Sequence, residues 1–232
     1  MRKVLLALAL CLVSAPLFAT PLTLTNQGVD GSTTVFSAPL GGLGFTQIAS
    51  ITITDSNSQT GGSDGVFSGF DLDFLFLDAD GDYLTTGDRV YGSMFNFTAG
   101  TTRPTSDPNH EPTPSHPGPT WGSLTANSID FPNATLNVRD GFYSAGLSTD
   151  LVFGFLTLGD GGSLVVGFAP ALSITGTEKL FVGEVGTDPG EQLGATVEAA
   201  SEFPVPEPGS LSLIGLGLTW FGVKRQRAGR NK

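Results

Sequence analysis

Gly69-Phe70-Asp71-Leu72-Asp73-Phe74-Leu75-Phe76-Leu77-Asp78-Ala79-Asp80-Gly81-Asp82 reads as a strand running into a turn. Successive side chains of a strand point to opposite faces, so Phe70, Leu72, Phe74 and Phe76 fall on one face and Asp71 and Asp73 on the other. An apolar face of that kind has to be covered by a second layer. Runs rich in Val, Ile, Phe, Leu and Thr recur on both sides, at 22–25, 48–54, 89–97, 134–139, 151–158, 164–168 and 179–185. Gly, Asn, Asp and Ser separate them, as turns between strands require. No part of the 186 residues from Thr20 to Val205 carries a long apolar stripe at helical spacing. The expected fold is all-β, an antiparallel β-sandwich, with a jelly roll as one version that the sequence does not separate from others.

The same stretch carries the chain's most suggestive chemistry. Asp78, Asp80 and Asp82 stand at every second position in a glycine-containing turn. Carboxylates so close repel one another unless water or a cation lies between them, and Ca²⁺ takes six to eight oxygen ligands of this kind. Asp71, Asp73, Asp78, Asp80 and Asp82 are therefore the candidate metal ligands. The loop is not an EF-hand: Gly81 lies between the second and third acids, Tyr83 takes the glycine's usual place, and Arg89 falls at the closing position. A solvated Asp-Gly hairpin turn explains the same composition. Asp71 and Asp73 are also the pair that a glycoside hydrolase would need, but two acids on one strand face fit metal ligation or a solvated edge better.

Two segments interrupt the strand pattern. Residues 98–120 hold six prolines and both histidines, His110 and His116, and read as an extended surface loop. Residues 186–204 are polar and acidic and read as a linker. Histidines six apart with no cysteine nearby match no zinc motif, and neither a Gly-x-Ser-x-Gly elbow nor a phosphate-binding glycine loop is present. A non-enzymatic protein is expected. Aromatic rings stack on the apolar faces of sugars, so Trp121, with Tyr83, Tyr91 and Tyr143, is the candidate ligand-binding side chain of a carbohydrate-binding module.

The ends carry an address. Arg2 and Lys3 precede ten unbroken apolar residues and then small residues, a secretory signal peptide over 1–19. The lone Cys11 lies inside it, so the mature chain has no disulfide framework. Near the other end, Pro206-Glu207-Pro208 is followed by an apolar run at 211–223 and then by Lys224, Arg225 and Arg227. Thirteen helical residues span roughly 20 Å at 1.5 Å each, short of the about 30 Å of a bilayer's apolar core. Such a run suits transient membrane insertion, its basic tail held on the cytoplasmic side.

These three parts, in that order, resemble the PEP-CTERM sorting domain of Gram-negative bacteria. The resemblance implies that Pro206, Glu207 and Pro208 are the recognition element, that the apolar run is a short transmembrane helix, and that an exosortase cleaves near the motif after export by the secretory translocon. It also implies a cell-envelope or extracellular destination and association with exopolysaccharide. The expected organisation is a signal peptide at 1–19, a β-sandwich at 20–185, an acidic linker at 186–204 and the sorting signal at 205–232. Between Thr20 and Val205 stand 21 acidic residues against Arg89, Arg103, Arg139 and Lys179, 17 negative charges net. A surface so acidic repels nucleic acid. The expected function is that of an exported surface or matrix protein with a structural or exopolysaccharide-associated role. A calcium-dependent carbohydrate-binding module is the alternative, and a glycoside hydrolase stands behind it.

Overall fold

The computed structural model describes residues 19–59, 62–114, 117–125, 128–142, 154–186 and 194–203. The signal peptide, the sorting signal with its apolar run and basic tail, His116 and Tyr143 lie outside these residues. In chain order the strands are β1 (Thr20–Pro21), β2 (Thr25–Asp30), β3 (Thr33–Pro39), β4 (Gln47–Asp55), β5 (Asp71–Asp78), β6 (Arg89–Tyr91), β7 (Met94–Thr98), β8 (Ser123–Thr125), β9 (Ser128–Ile129), β10 (Leu156–Thr157), β11 (Ser163–Ser173), β12 (Lys179–Val185) and β13 (Ala195–Ala200). Among the described residues the only helical element is a single 3₁₀ turn at Pro108–His110.

Two antiparallel sheets pack face to face. One runs β1-β13-β4-β11-β7 and the other β2-β3-β12-β5, with β6 and β10 pairing to opposite ends of β5. The core between them takes Ile51, Ile53, Leu164, Val166 and Val197 from the first sheet and Leu72, Leu75, Leu77, Leu180 and Val182 from the second. Both outermost segments serve both sheets. The first gives β1 to β13 and β2 to β3; the segment 89–98 gives β6 to β5 and β7 to β11. Counting these split segments once each, and setting aside the short β8 and β9, which pair with each other, and β10, the chain pairs first with eighth, eighth with third and third with sixth in one sheet. In the other it pairs second with seventh, seventh with fourth and fourth with fifth. This is jelly-roll connectivity. At the corner between β6 and β7, Gly92 lies so close to β11 that a Cβ there would stand 2.3 Å from a Val166 methyl.

β5 departs from simple alternation in one place. Its pairing with β12 skips from Phe74↔Gly183 to Leu72↔Glu184, so Asp73 is the extra residue of a bulge. The bulge reverses the pattern along the strand: Phe70 and Leu72 enter the core between the sheets, and so do Leu75 and Leu77. Phe74 and Phe76 instead turn outward into an aromatic cluster with Val35 and Phe181, covered by Tyr83 and Tyr91. Gly183 admits this arrangement, because a Cβ on it would meet the Phe74 ring at 2.4 Å.

Residues 186–204 are not a free linker throughout. Ala195–Ala200 is β13, hydrogen-bonded between β4 and β1, with Val197 and Ala199 in the core. Its alternation of Val197 and Ala199 with Thr196 and Glu198 is that of a strand with one solvated face. The fold runs on to Glu202, whose carbonyl accepts from Ser50 Oγ at 2.6 Å, and to Phe203, whose ring lies against Gly167. Residues 134–139 are also not a strand but turns: the Asp130 carbonyl accepts from the Asn133 and Ala134 amides, and the Thr135 carbonyl from the Val138 amide.

Candidate functional site

The five aspartates singled out in the sequence divide between the two ends of β5. Seven residues of strand, roughly 23 Å at about 3.3 Å per residue, separate Asp71 from Asp78. Asp71 faces its register partner on β10, Thr157, whose hydroxyl donates to Asp71 Oδ1.

Asp73, in the bulge, is fully buried. Thr33 Oγ1 donates to its Oδ2, while the amides of Gly141 and Asp140 donate to Oδ1 at 2.8 and 3.2 Å. The segment carrying those amides is laid across the sheet edge by a bond from Leu75 N to Leu136 O and by the ion pair of Arg139 with Asp30. Burial pushes the Asp73 carboxyl up to about 6, outweighing its three hydrogen bonds, with the nearby Asp140 charge acting in the same direction. Asp71 and Asp73 therefore do not form the exposed pair of a hydrolase.

The other end is built differently. Asp78 is also fully buried, and its Oδ1 accepts from the amides of Gly81 and Asp82 at 2.7 and 3.1 Å. Gly81 sits at φ 75°, the left-handed region that glycine supplies, and a Cβ there would meet Thr177 O at 2.6 Å. Asp80 Oδ1 accepts from the Asp82 amide at 2.8 Å, and Asp88 Oδ2 from the Asp80 amide at 3.1 Å. One carboxylate oxygen each from Asp78, Asp80 and Asp88 lies within 4.8 Å of the others. Asp82 is outside this group and is spent on the Leu84 amide at 2.9 Å. Burial raises the Asp78 carboxyl above its ordinary range; the hydrogen bond from Gly81 opposes this, while the closeness of the Asp80 carboxyl and the charges of Asp88 and Asp80 add to it. Of the five predicted ligands, the fold brings only Asp78 and Asp80 together. It adds Asp88, one position before the Arg89 noted in the sequence.

The aromatic candidates are also redistributed. Trp121 is 1 % exposed and packs with Val66, Phe67, Phe155 and Val185, so it is a core residue and not a sugar-stacking platform. The 98–120 loop is tied down on the same side, by bonds from Val66 N to His110 O and from Trp121 N to Val66 O. Tyr83 and Tyr91 are half-buried over Phe76 at centroid distances of 6.2 and 5.9 Å. Gly81, Asp82 and Tyr83 form one wall of a groove of about 370 Å³ against β2.

The described residues thus form a jelly-roll domain with no disulfide and a strongly acidic composition, against which Phe203 still packs. Immediately after it, residues 204–226 match the family model described as the PEP-CTERM protein-sorting motif. The chain carries the signal of an exosortase substrate, and that motif implies export to the cell envelope. No curated protein and no solved structure matches the chain.

Proposed function

We propose that this chain is a cell-surface or extracellular-matrix protein whose jelly-roll domain has a non-enzymatic, structural or exopolysaccharide-associated role. The observation that carries the proposal is the sorting-motif match at residues 204–226, which begins one residue after Phe203, a side chain still packed against Gly167 of the β-domain. Cleavage near Pro206-Glu207-Pro208 would remove the apolar run and the basic tail while leaving every described strand in place. What remains is an acidic β-domain suited to a hydrated matrix. Its four basic residues are mostly engaged internally: Arg103 with Asp160 and Asp64, Arg139 with Asp30, and Arg89 over the Phe76 ring at 4.3 Å. Burial of Asp73 and Trp121 counts against the hydrolase and against Trp121 as a sugar platform.

Mass spectrometry of the protein from its native host, with and without the exosortase gene, tests the proposal. The expected mature form begins at Thr20, ends close to the Pro-Glu-Pro motif and lacks Lys232, while the deletion strain retains Lys232. An intact Lys232 in both strains would overturn it.

A further inference from the structure

We propose that Asp78, Asp80 and Asp88 hold a calcium ion at the turn between β5 and β6. This site stands apart from the sorting signal and would exist whether or not the tail is cleaved.

Three acids near one another in a loop would not carry this by themselves. The added observation is the state of Asp78. Its residue is fully buried, its Oδ1 is used by two amides, and its Oδ2 is buried without any hydrogen-bond partner. A buried carboxylate oxygen is costly unless something positive or a donor reaches it.

The fold places two cationic residues beside Asp78 in register, Arg89 on β6 and Lys179 on β12. Neither forms an ion pair with it. The Arg89 guanidinium lies over the Phe76 and Tyr83 rings and donates to the carbonyls of Thr85 and Tyr83. The negative charge at the end of β5 is left to a small cation that can reach Asp78 together with Asp80 and Asp88.

The geometry suits Ca²⁺. Oxygens bound at about 2.3–2.6 Å to a common ion can lie up to roughly 5 Å apart, and the three carboxylates offer atoms within 4.8 Å of one another. Hard carboxylate oxygens select calcium over softer transition metals. Three side-chain ligands leave the remaining positions to water and backbone carbonyls, so affinity should fall in the range of extracellular modules, on the order of 10⁻⁴ to 10⁻³ M. Bound there, the ion would fasten residues 79–88 to the end of β5 and fix the Gly81–Tyr83 wall of the neighbouring groove.

Equilibrium dialysis of the chelator-treated mature protein against radiolabelled Ca²⁺ tests the site. The expected result is one ion per chain, with affinity weakened about tenfold or more in Asp80→Asn and in Asp88→Asn. Both side chains are at least partly exposed, so these variants should fold, which circular dichroism checks. Asp71→Asn and Asp82→Asn should bind as the wild type does. No binding by the wild type up to about 10 mM Ca²⁺, or a folded Asp88→Asn protein of unchanged affinity, would overturn the proposal.

Discussion

Asp73 and Asp78 lie five residues apart on one strand, both fully buried, and the protein treats them in opposite ways. Asp73 sits where the chain folds over itself. Both its oxygens receive donors from other segments, Thr33 on β3 and the 140–141 backbone, and the Trp121 cluster reaches the same end through Val185, which adjoins Gly141. Asp78 sits where the chain turns back on itself. One oxygen organises the turn, the other finds no donor, and the carboxylates of Asp80 and Asp88 stand close by. Burial alone therefore does not give a buried acid its role; the origin of its donors does. Donors from distant segments make Asp73 a clasp of the fold. Their absence at Asp78 leaves a place for an ion from solution.

The sharpest way to break this contrast is at the closed end. Trp121→Ala removes the largest fully buried side chain among the described residues and should cost about 3–5 kcal/mol, read from urea denaturation. A loss below about 1 kcal/mol would mean that the Trp121 end is not core. Asp73→Ala strands the Thr33 hydroxyl and the Gly141 amide in the interior and should cost about 3 kcal/mol.

A smaller effect of opposite sense comes from pH. The Asp73 carboxyl titrates near 6 in the native protein against an ordinary 3.8, so between these values the native state binds more protons than the unfolded chain. Its contribution to stability is complete below about 3.8 and is lost as pH rises through about 6. Acidification from pH 7 to pH 5 should thus stabilise the wild type by about 1 kcal/mol through this group, and Asp73→Asn should flatten that slope. A slope unchanged by the substitution would assign it to other acids.

Much of this was legible in the sequence, but unevenly. β5 and β12 announce themselves through dense apolar content, and residues 179–185 form a strand with the expected bounds. β13 does not: Ala195-Thr196-Val197-Glu198-Ala199-Ala200 has the right alternation, yet its inward side chains are small, so it reads as a polar linker. β3 is hidden for a related reason, since six of its seven residues are buried and three of these are hydroxyl side chains. The bulge at Asp73 could not be inferred from β5 alone, because the skipped register depends on what β12 places opposite. That single extra residue sent Phe74 and Phe76 to the outer face and Leu75 and Leu77 inward. Of the proposed calcium ligands, local spacing pointed to Asp78 and Asp80, whose positions the turn fixes. Asp88 comes from the start of the returning strand, where only the β5–β6 pairing sets its distance.

The contrast between the two ends is tested most directly by hydrogen exchange at four amides. Gly81 and Asp82 donate to Asp78, and Asp140 and Gly141 donate to Asp73. Addition of millimolar Ca²⁺ to the mature protein should slow exchange at Gly81 and Asp82 and leave Asp140 and Gly141 unchanged. Equal slowing at both ends, or no change at either, would contradict the account.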